Sequence, residues 1–145
     1  MNRSTTSLNF PDVNVWLAAM LANHIHHTVA KAWWNTIDSS IAFTRFTQIS
    51  VLRLLTTSAA MDGKPLTMTE AWHAYDRFFI DDRVVLVPEP SGVEARFREY
   101  SRGRTASPKL WADAWVLAFA EAAGGTLITF DRRLASFGAH CLLEA

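Results

Sequence analysis

The chain has 145 residues, of which 50% are hydrophobic, 12% aromatic and 19% charged, a balance that excludes wholesale disorder. Fourteen basic and fourteen acidic side chains cancel, which excludes a uniformly basic nucleic-acid coat but leaves room for a local basic patch. The single cysteine, Cys141, excludes an intrachain disulfide, and no apolar run reaches the ~18 residues of a membrane span. We therefore expect one domain, 1–145, in the cytoplasm and without membrane contact, with residues 1–7 as a flexible N-terminus.

Short apolar segments alternate with segments of helical periodicity. In chain order these predict a strand at 8–11, helices at 13–21 and 26–37, a strand at 41–43, helices at 44–56 and 67–79, a strand at 84–87, helices at 92–100 and 107–123, a strand at 126–130, a helix at 132–137 and a strand at 140–143. Short apolar strands between helices are typical of a parallel sheet covered on both faces. The predicted fold class is therefore α/β, a three-layer α/β/α sandwich with a short, mostly parallel central sheet.

Local signals refine three of these elements. Pro11 lacks an N–H group, so the first strand either lies at a sheet edge or ends at this residue. Thr67 and Glu70 have the spacing of a capping box, which predicts a helix start. In the helix at 44–56, the spacing of Ile49, Leu52 and Leu55 predicts that all three face the core.

Three aspartates are predicted to meet at one edge of the sheet. Asp12 and Asp131 each follow a strand directly, and ligands of parallel sheets bind at the carboxyl ends of the strands. Asp113 lies in a helix whose residues 110–123 include only one other charged residue, Glu121. A carboxylate in so apolar a helix is costly to bury unless a cation meets it. Three oxygen ligands suit Mg²⁺ or Mn²⁺ better than zinc.

Each aspartate also has a purely structural alternative. Asp12 could cap the helix at 13–21, and Asp131 could cap the helix at 132–137. Asp113 could pair with Lys109, one turn earlier. All three alternatives would have to hold together to remove the site.

Four short motifs follow one another along the chain: Asp12-Val13-Asn14, Thr47-Gln48, Ala112-Asp113-Ala114 and Thr129-Phe130-Asp131. Their order and spacing, over nearly the whole chain, resemble those of PIN-domain ribonucleases, with the VapC toxins of bacterial VapBC toxin–antitoxin pairs as the most similar branch. The resemblance implies a PIN-like α/β/α fold and divalent-metal cleavage of RNA that leaves a 5′-phosphate and a 3′-hydroxyl. It also implies a cognate VapB-type antitoxin as partner, and we expect a homodimer.

The resemblance further implies roles for individual residues. Asp12, Asp113 and Asp131 would hold Mg²⁺ or Mn²⁺, while Asn14, Thr47 and Thr129 would orient them by hydrogen bonds. Gln48 stands where the family usually has glutamate, and it would position a water molecule without adding charge. The alternative is a catalytically weakened PIN fold that binds RNA or a protein.

A basic segment precedes the Asp113 helix and is predicted to bind the phosphates of RNA. Its members are Arg96, Arg98, Arg102, Arg104 and Lys109, against Glu99 alone within the same stretch. The competing interpretation is a solvated helix face with no ligand.

Overall fold

Parallel strands and their connecting helices make up the computed structural model, which describes residues 7–103 and 105–143. The strands are β1 Leu8–Pro11, β2 Ser40–Phe43, β3 Val84–Leu86, β4 Thr126–Thr129 and β5 His140–Cys141. The helices are α1 Val13–Met20, α2 His27–Thr36, α3 Arg45–Leu55, α4 Met68–Phe78, α5 Val93–Ser101, α6 Pro108–Ala122 and α7 Arg132–Ala135. The expected flexible N-terminus lies, apart from Ser7, outside the described residues.

All five strands are parallel and lie in the order β3–β2–β1–β4–β5. The predicted α/β class is confirmed, and each predicted element is present with bounds shifted by a few residues. Of the two interpretations of Pro11, the edge strand is wrong, because β1 lies between β2 and β4. The strand instead ends at Pro11, where the missing N–H interrupts little pairing. Among the described residues, no helix is long and apolar enough to cross a membrane.

Helices cover both faces of the sheet, and each face has its own apolar core. Successive side chains of a strand point to opposite faces. Ile41 and Phe43 accordingly pack with α1 to α4, whereas Ala42 packs on the side of α5, α6 and α7. Trp16 is fully buried in the first core and stacks on the Phe43 ring at a centroid distance of 3.7 Å. These two layers make the three-layer sandwich.

The start of α3 differs in detail from the sequence prediction. Thr44 and Thr47 form a reciprocal capping box at its first turn, although the motif lacks the usual Glu or Gln. The buried face of the helix includes Thr47, Gln48 and Val51. The prediction that Ile49 faces the core is wrong, because this side chain is 49% exposed. The helix is rotated so that Gln48 points inward. Hydrophobic periodicity cannot predict this rotation, because it assigns polar residues to the exposed face.

A tight turn between α6 and β4 sets the position of β4 against β1. Gly124 adopts a left-handed conformation with φ 74°, which ends the helix. At Gly125 a Cβ would lie 2.5 Å from the carbonyl oxygen of Leu8, so only glycine allows this approach. The turn therefore brings the β4 strand, and the aspartate that follows it, next to β1.

Candidate metal centre at the carboxyl edge of the sheet

The carboxyl ends of β1 and β4 lie side by side. Pro11 is paired with Ile128 in the ladder, and the backbone N–H of Asp12 donates to the Ile128 carbonyl at 2.7 Å. Asp12 leaves β1 at this point, and Asp131 follows β4 two residues after its last ladder residue. The parallel topology therefore places two of the three predicted aspartates at one edge, as expected from their positions in the sequence.

Thr129 connects these two acids. Its side chain is almost fully buried, with 1% relative exposure, at the end of β4. The hydroxyl contacts the Asp12 Oδ2 atom at 3.4 Å and accepts a hydrogen bond from the Asp131 backbone N–H at 3.0 Å. One buried hydroxyl thus contacts a carboxylate on one side and the backbone of the second acid on the other.

Arg133 connects Asp131 to Asp113. The Arg133 Nη2 atom lies 2.6 Å from the Asp131 Oδ2 atom and 3.5 Å from the Asp113 Oδ2 atom. Asp113 projects from α6 with only 13% of its side chain exposed, whereas the Arg133 side chain is 63% exposed. Arg133 is the one residue of this centre that sequence reasoning missed. Its place in the sequence could have identified it, because Arg133 is the second residue after Asp131, and the backbone N–H at that position commonly donates to a capping aspartate.

The structural alternatives hold for two of the three acids, the caps at Asp12 and Asp131. The Asp12 Oδ1 atom accepts from the Val13 N–H at 2.8 Å and caps α1, and the Asp131 Oδ1 atom accepts from the Arg133 N–H at 2.9 Å and caps α7. Lys109 lies close enough that its charge lowers the pKa of Asp113. Capping and clustering are therefore not exclusive, because a cap uses one carboxylate oxygen and leaves the other for the cluster.

The acids differ in how well the protein compensates their charge. Burial raises the pKa of Asp12, and the charges of Asp113 and Asp131 add to that rise. Burial likewise raises the pKa of Asp113, while Lys109 and Arg133 oppose the rise. Hydrogen bonds from Arg133 lower the pKa of Asp131. Asp12 and Asp113 are partly buried carboxylates whose charge is incompletely compensated, and with Asp131 they offer hard oxygen donors, which suit a divalent cation such as Mg²⁺ or Mn²⁺.

The side chains do not form a finished ligand cage as they stand. Within the described ranges, no group of three His, Cys, Asp or Glu side chains is arranged to hold a metal ion. The Asp131 carboxylate accepts hydrogen bonds from Arg133, and the Asp12 carboxylate accepts from the Val13 N–H and the Thr129 hydroxyl. A metal ion at this edge would therefore need side-chain rearrangement.

The predicted residues of α3 and α1 have other partners or face solvent. Gln48 is buried, and its Oε1 atom accepts from Arg45 Nη1 at 2.7 Å; its side chain also interacts with Tyr75. The Thr47 hydroxyl accepts from the Thr44 N–H at 2.9 Å and belongs to the α3 cap. Asn14 is exposed in the first turn of α1. Their proposed roles in orienting carboxylates or water stay predictions.

The structure divides the predicted RNA-binding segment. Ion pairs join Arg96 to Glu121 at 3.4 Å and Arg98 to Glu94 at 2.9 Å, and both glutamates lie outside the stretch whose charges were counted. Lys109 is exposed, and its charge lowers the pKa of both Asp113 and Asp131. Arg102 is exposed, and Arg104 lies outside the described residues. The excess of positive charge in this segment is therefore smaller than the sequence count indicates. Lys109 is the member whose charge acts on the carboxylates of the candidate site.

Comparison with known proteins gives consistent matches. A family model described as PIN domain matches residues 10–139. The chain is 44% identical over 133 residues to ribonuclease VapC41 of Mycobacterium tuberculosis, covering 88% of this chain and 91% of that protein. The crystal structure of VapC20 from the same species, described as a Sarcin-Ricin loop cleaving toxin, has a TM-score of 0.64 at 17% identity, covering 90% of this chain and 95% of that one. VapBC2 from Rickettsia felis, bound to a DNA fragment from its promoter, has a TM-score of 0.60 at 12% identity, covering 94% and 97%.

Proposed function

The chain belongs to the PIN-domain family and within it to the VapC ribonucleases, and from this premise we propose that it hydrolyses RNA with Mg²⁺ or Mn²⁺ held by Asp12, Asp113 and Asp131. The observation that carries the proposal is the convergence of three carboxylates at the edge where β1 and β4 end, linked through Thr129 and Arg133. Toxins of this type act as ribonucleases, so the reaction class is hydrolysis of a phosphodiester bond.

The chain's own residues perform most of the work of positioning. Thr129 fixes Asp12 relative to the end of β4, while α6 carries Asp113 to the same edge on a rigid element. Gln48 would hold a water molecule near this edge, with Asn14 and Thr47 as further hydrogen-bonding groups. A bound divalent ion would polarise the phosphodiester and lower the pKa of an attacking water. Lys109, with Arg96, Arg98, Arg102 and Arg104, would hold the phosphate backbone.

The partners follow from the same family assignment. We propose a VapB-type antitoxin as the cognate protein, because the Rickettsia felis neighbour is a VapBC structure. We also propose a homodimer, since α3 and α4 expose large apolar side chains that a second copy could cover, namely Phe46, Ile49 and Trp72. An RNA substrate and an unpaired cysteine suit the cytoplasm, and the whole chain would act as one domain.

The test is a Mg²⁺ and Mn²⁺ titration of RNA cleavage with wild type, Asp12→Asn and Asp113→Asn. We expect each variant to lose at least about a hundredfold in rate, because each removes a ligand charge on which several kcal/mol of transition-state stabilisation depend. Asp82→Asn is the matched control, since it makes the same carboxylate-to-amide change at an exposed residue outside the proposed site. Melting in EDTA should show Asp113→Asn at least as stable as wild type, because the buried carboxylate is penalised in the fold.

Three outcomes are decisive. Full activity of both variants would refute the proposed metal ligands. Equal losses in Asp82→Asn would mean that the losses do not depend on the proposed ligands, and this result would also refute the assignment. A wild type that binds RNA yet cleaves nothing at any metal concentration would favour the weakened PIN fold that acts as a binding module.

A further inference from the structure

Arg133 makes three hydrogen bonds with one carboxylate, that of Asp131. The Asp131 Oδ1 atom accepts from both the backbone N–H of Arg133 at 2.9 Å and its Nε at 3.2 Å. The Asp131 Oδ2 atom accepts from Nη2 at 2.6 Å. A carboxylate has about four lone-pair positions, so residue 133 alone occupies three of them. The same Nη2 atom reaches the Asp113 Oδ2 atom at 3.5 Å.

From this geometry we propose that Arg133 is a built-in counter-ion of the metal-free site, which competes with the divalent cation and turns away from Asp131 when the cation binds. The inference rests on the proposed function, because it assumes that Asp113 and Asp131 are metal ligands. The family assignment gives no role to Arg133 and does not imply competition between an arginine and the metal ion.

Three observations support a competitor rather than a fixed structural bridge. Arg133 places its positive charge between two of the carboxylates, where a cation would be attracted. Its side chain is 63% exposed, so it can turn into solvent without losing a packed environment. The Asp131 cap on α7 uses the backbone N–H of Arg133, and this contact survives when the guanidinium leaves. The cap and the counter-ion are therefore separable.

Charge explains why such a residue would be retained. Without metal, Asp12, Asp113 and Asp131 would repel one another, and Asp131 already contributes to raising the pKa of Asp113. A guanidinium at this place reduces the repulsion until metal arrives. The three carboxylates carry three negative charges, and the guanidinium reduces this to two, so its departure strengthens the attraction of the site for a divalent ion.

The experiment measures Mn²⁺ affinity by calorimetry for wild type, Arg133→Gln and Arg133→Lys at one salt concentration. We expect Arg133→Gln to bind Mn²⁺ about tenfold more tightly, which corresponds to about 1.4 kcal/mol. Arg133→Lys should show a smaller gain, because lysine keeps the charge but lacks the planar fork. Lys64→Gln, which removes a positive charge from an exposed loop, should leave the affinity unchanged.

Melting temperature provides a second readout that does not depend on cleavage. In EDTA, Arg133→Gln should melt below wild type because its carboxylates lack their counter-ion. Saturating Mn²⁺ should raise its melting temperature more than that of wild type, following the tighter binding by mass action. Circular dichroism in EDTA confirms that the variant is folded before these comparisons are made.

The outcomes separate this inference from the proposed function. An unchanged Mn²⁺ affinity in Arg133→Gln would overturn the inference and leave the metal site intact. A weaker affinity would also overturn it, by showing that Arg133 orients the carboxylates for the metal. If neither wild type nor Arg133→Gln binds Mn²⁺, the proposed metal site fails, and the inference fails with it.

Discussion

Gln48 shows how one neighbour changes the meaning of a residue. The family resemblance implies glutamate at this position, and sequence reasoning alone suggests that Gln48→Glu would add negative charge to the metal site. In the structure, Arg45 Nη1 donates to the Gln48 Oε1 atom at 2.7 Å. A glutamate here would form a charge-assisted hydrogen bond with the same guanidinium. The new charge would therefore be neutralised locally before it could act on a metal.

This contact predicts a conditional effect of Gln48→Glu. Alone, the substitution should change Mn²⁺ affinity by less than about twofold, because Arg45 pairs with the new carboxylate. Combined with Arg45→Gln, it should raise the affinity several-fold, since the charge is then uncompensated. Calorimetric titration of the two single variants and the double variant measures the coupling. A large gain in Gln48→Glu alone would show that Arg45 is a weaker partner than its distance indicates.

Single residues at this edge differ in how far sequence could predict them. Asp12 and Asp131 were predictable because each follows an apolar strand, and parallel topology brings strand ends together. Asp113 was predictable because a charge in an apolar helix needs a cation. The contacts of Arg133 and Arg45 were not, because a long side chain on the surface reaches many partners and no periodicity selects one.

The C-terminal end of α2 depends on a residue that is distant in sequence. Arg83 Nη1 donates to the Trp34 carbonyl at 2.7 Å and also to the Ile37 carbonyl. These carbonyls have no partner within the helix, and a guanidinium both satisfies them and complements the helix dipole. Asp81 fixes the guanidinium from its other side, with Nη2 to Oδ2 at 2.7 Å. The pair therefore fastens α2 to the segment that leads into β3.

The pKa of Asp81 makes this fastening dependent on pH. Hydrogen bonds from Arg83 lower the pKa of Asp81 to about 2, from 3.8 in the unfolded chain. The stabilisation is present above the unfolded value and is lost as pH falls through about 2. Asp81→Asn should lower the free energy of unfolding at pH 7 by about 1 kcal/mol, a value reduced for the partial exposure of the pair.

Denaturant unfolding at several pH values checks this prediction. The difference between wild type and Asp81→Asn should shrink steadily between pH 4 and pH 2 and vanish below. Asp82→Asn is the matched control, because Asp82 is the next residue in the chain and its carboxylate is exposed. A difference that stays constant down to pH 2 would mean that packing, not charge, accounts for the role of Asp81.

The sequence predicts which helices and strands exist and in what order more accurately than it predicts how each helix is rotated about its axis. Alternation of strands and helices is repeated along the whole chain, so each element supports the assignment of its neighbours. The capping box at Thr67 and Glu70 is present as predicted, because its partners are only three residues apart. The rotation of α3 was mispredicted at Ile49, because the buried face includes a polar Gln48 held by Arg45 and Tyr75.

Across the whole molecule, the candidate metal centre lies where the parallel strands β1 and β4 end. The carboxylates lie at that edge, and the net charge of zero means that RNA must be attracted by local cations. Arg96 and Arg98 are partly neutralised by their glutamate partners, whereas the charge of Lys109 lowers the pKa of Asp113. We therefore expect the basic residues of the proposed patch to differ in how much each contributes to RNA affinity, and this difference can be measured.

Lys109→Gln should reduce RNA affinity more than Arg98→Gln does. Losing a phosphate contact should flatten the slope of log affinity against log salt by about 0.7 for single-stranded RNA. We expect that full change for Lys109→Gln and a smaller one for Arg98→Gln, because Glu94 already screens Arg98 from a phosphate. Fluorescence anisotropy of a labelled RNA in EDTA, with salt varied, measures both slopes without cleavage. Glu94→Gln supplies the reciprocal arm: it should strengthen binding, because it frees Arg98. Equal changes of slope for both basic-residue variants would instead mean that Arg98 contacts phosphate as fully as Lys109 does, and the predicted ranking of the two residues would be wrong.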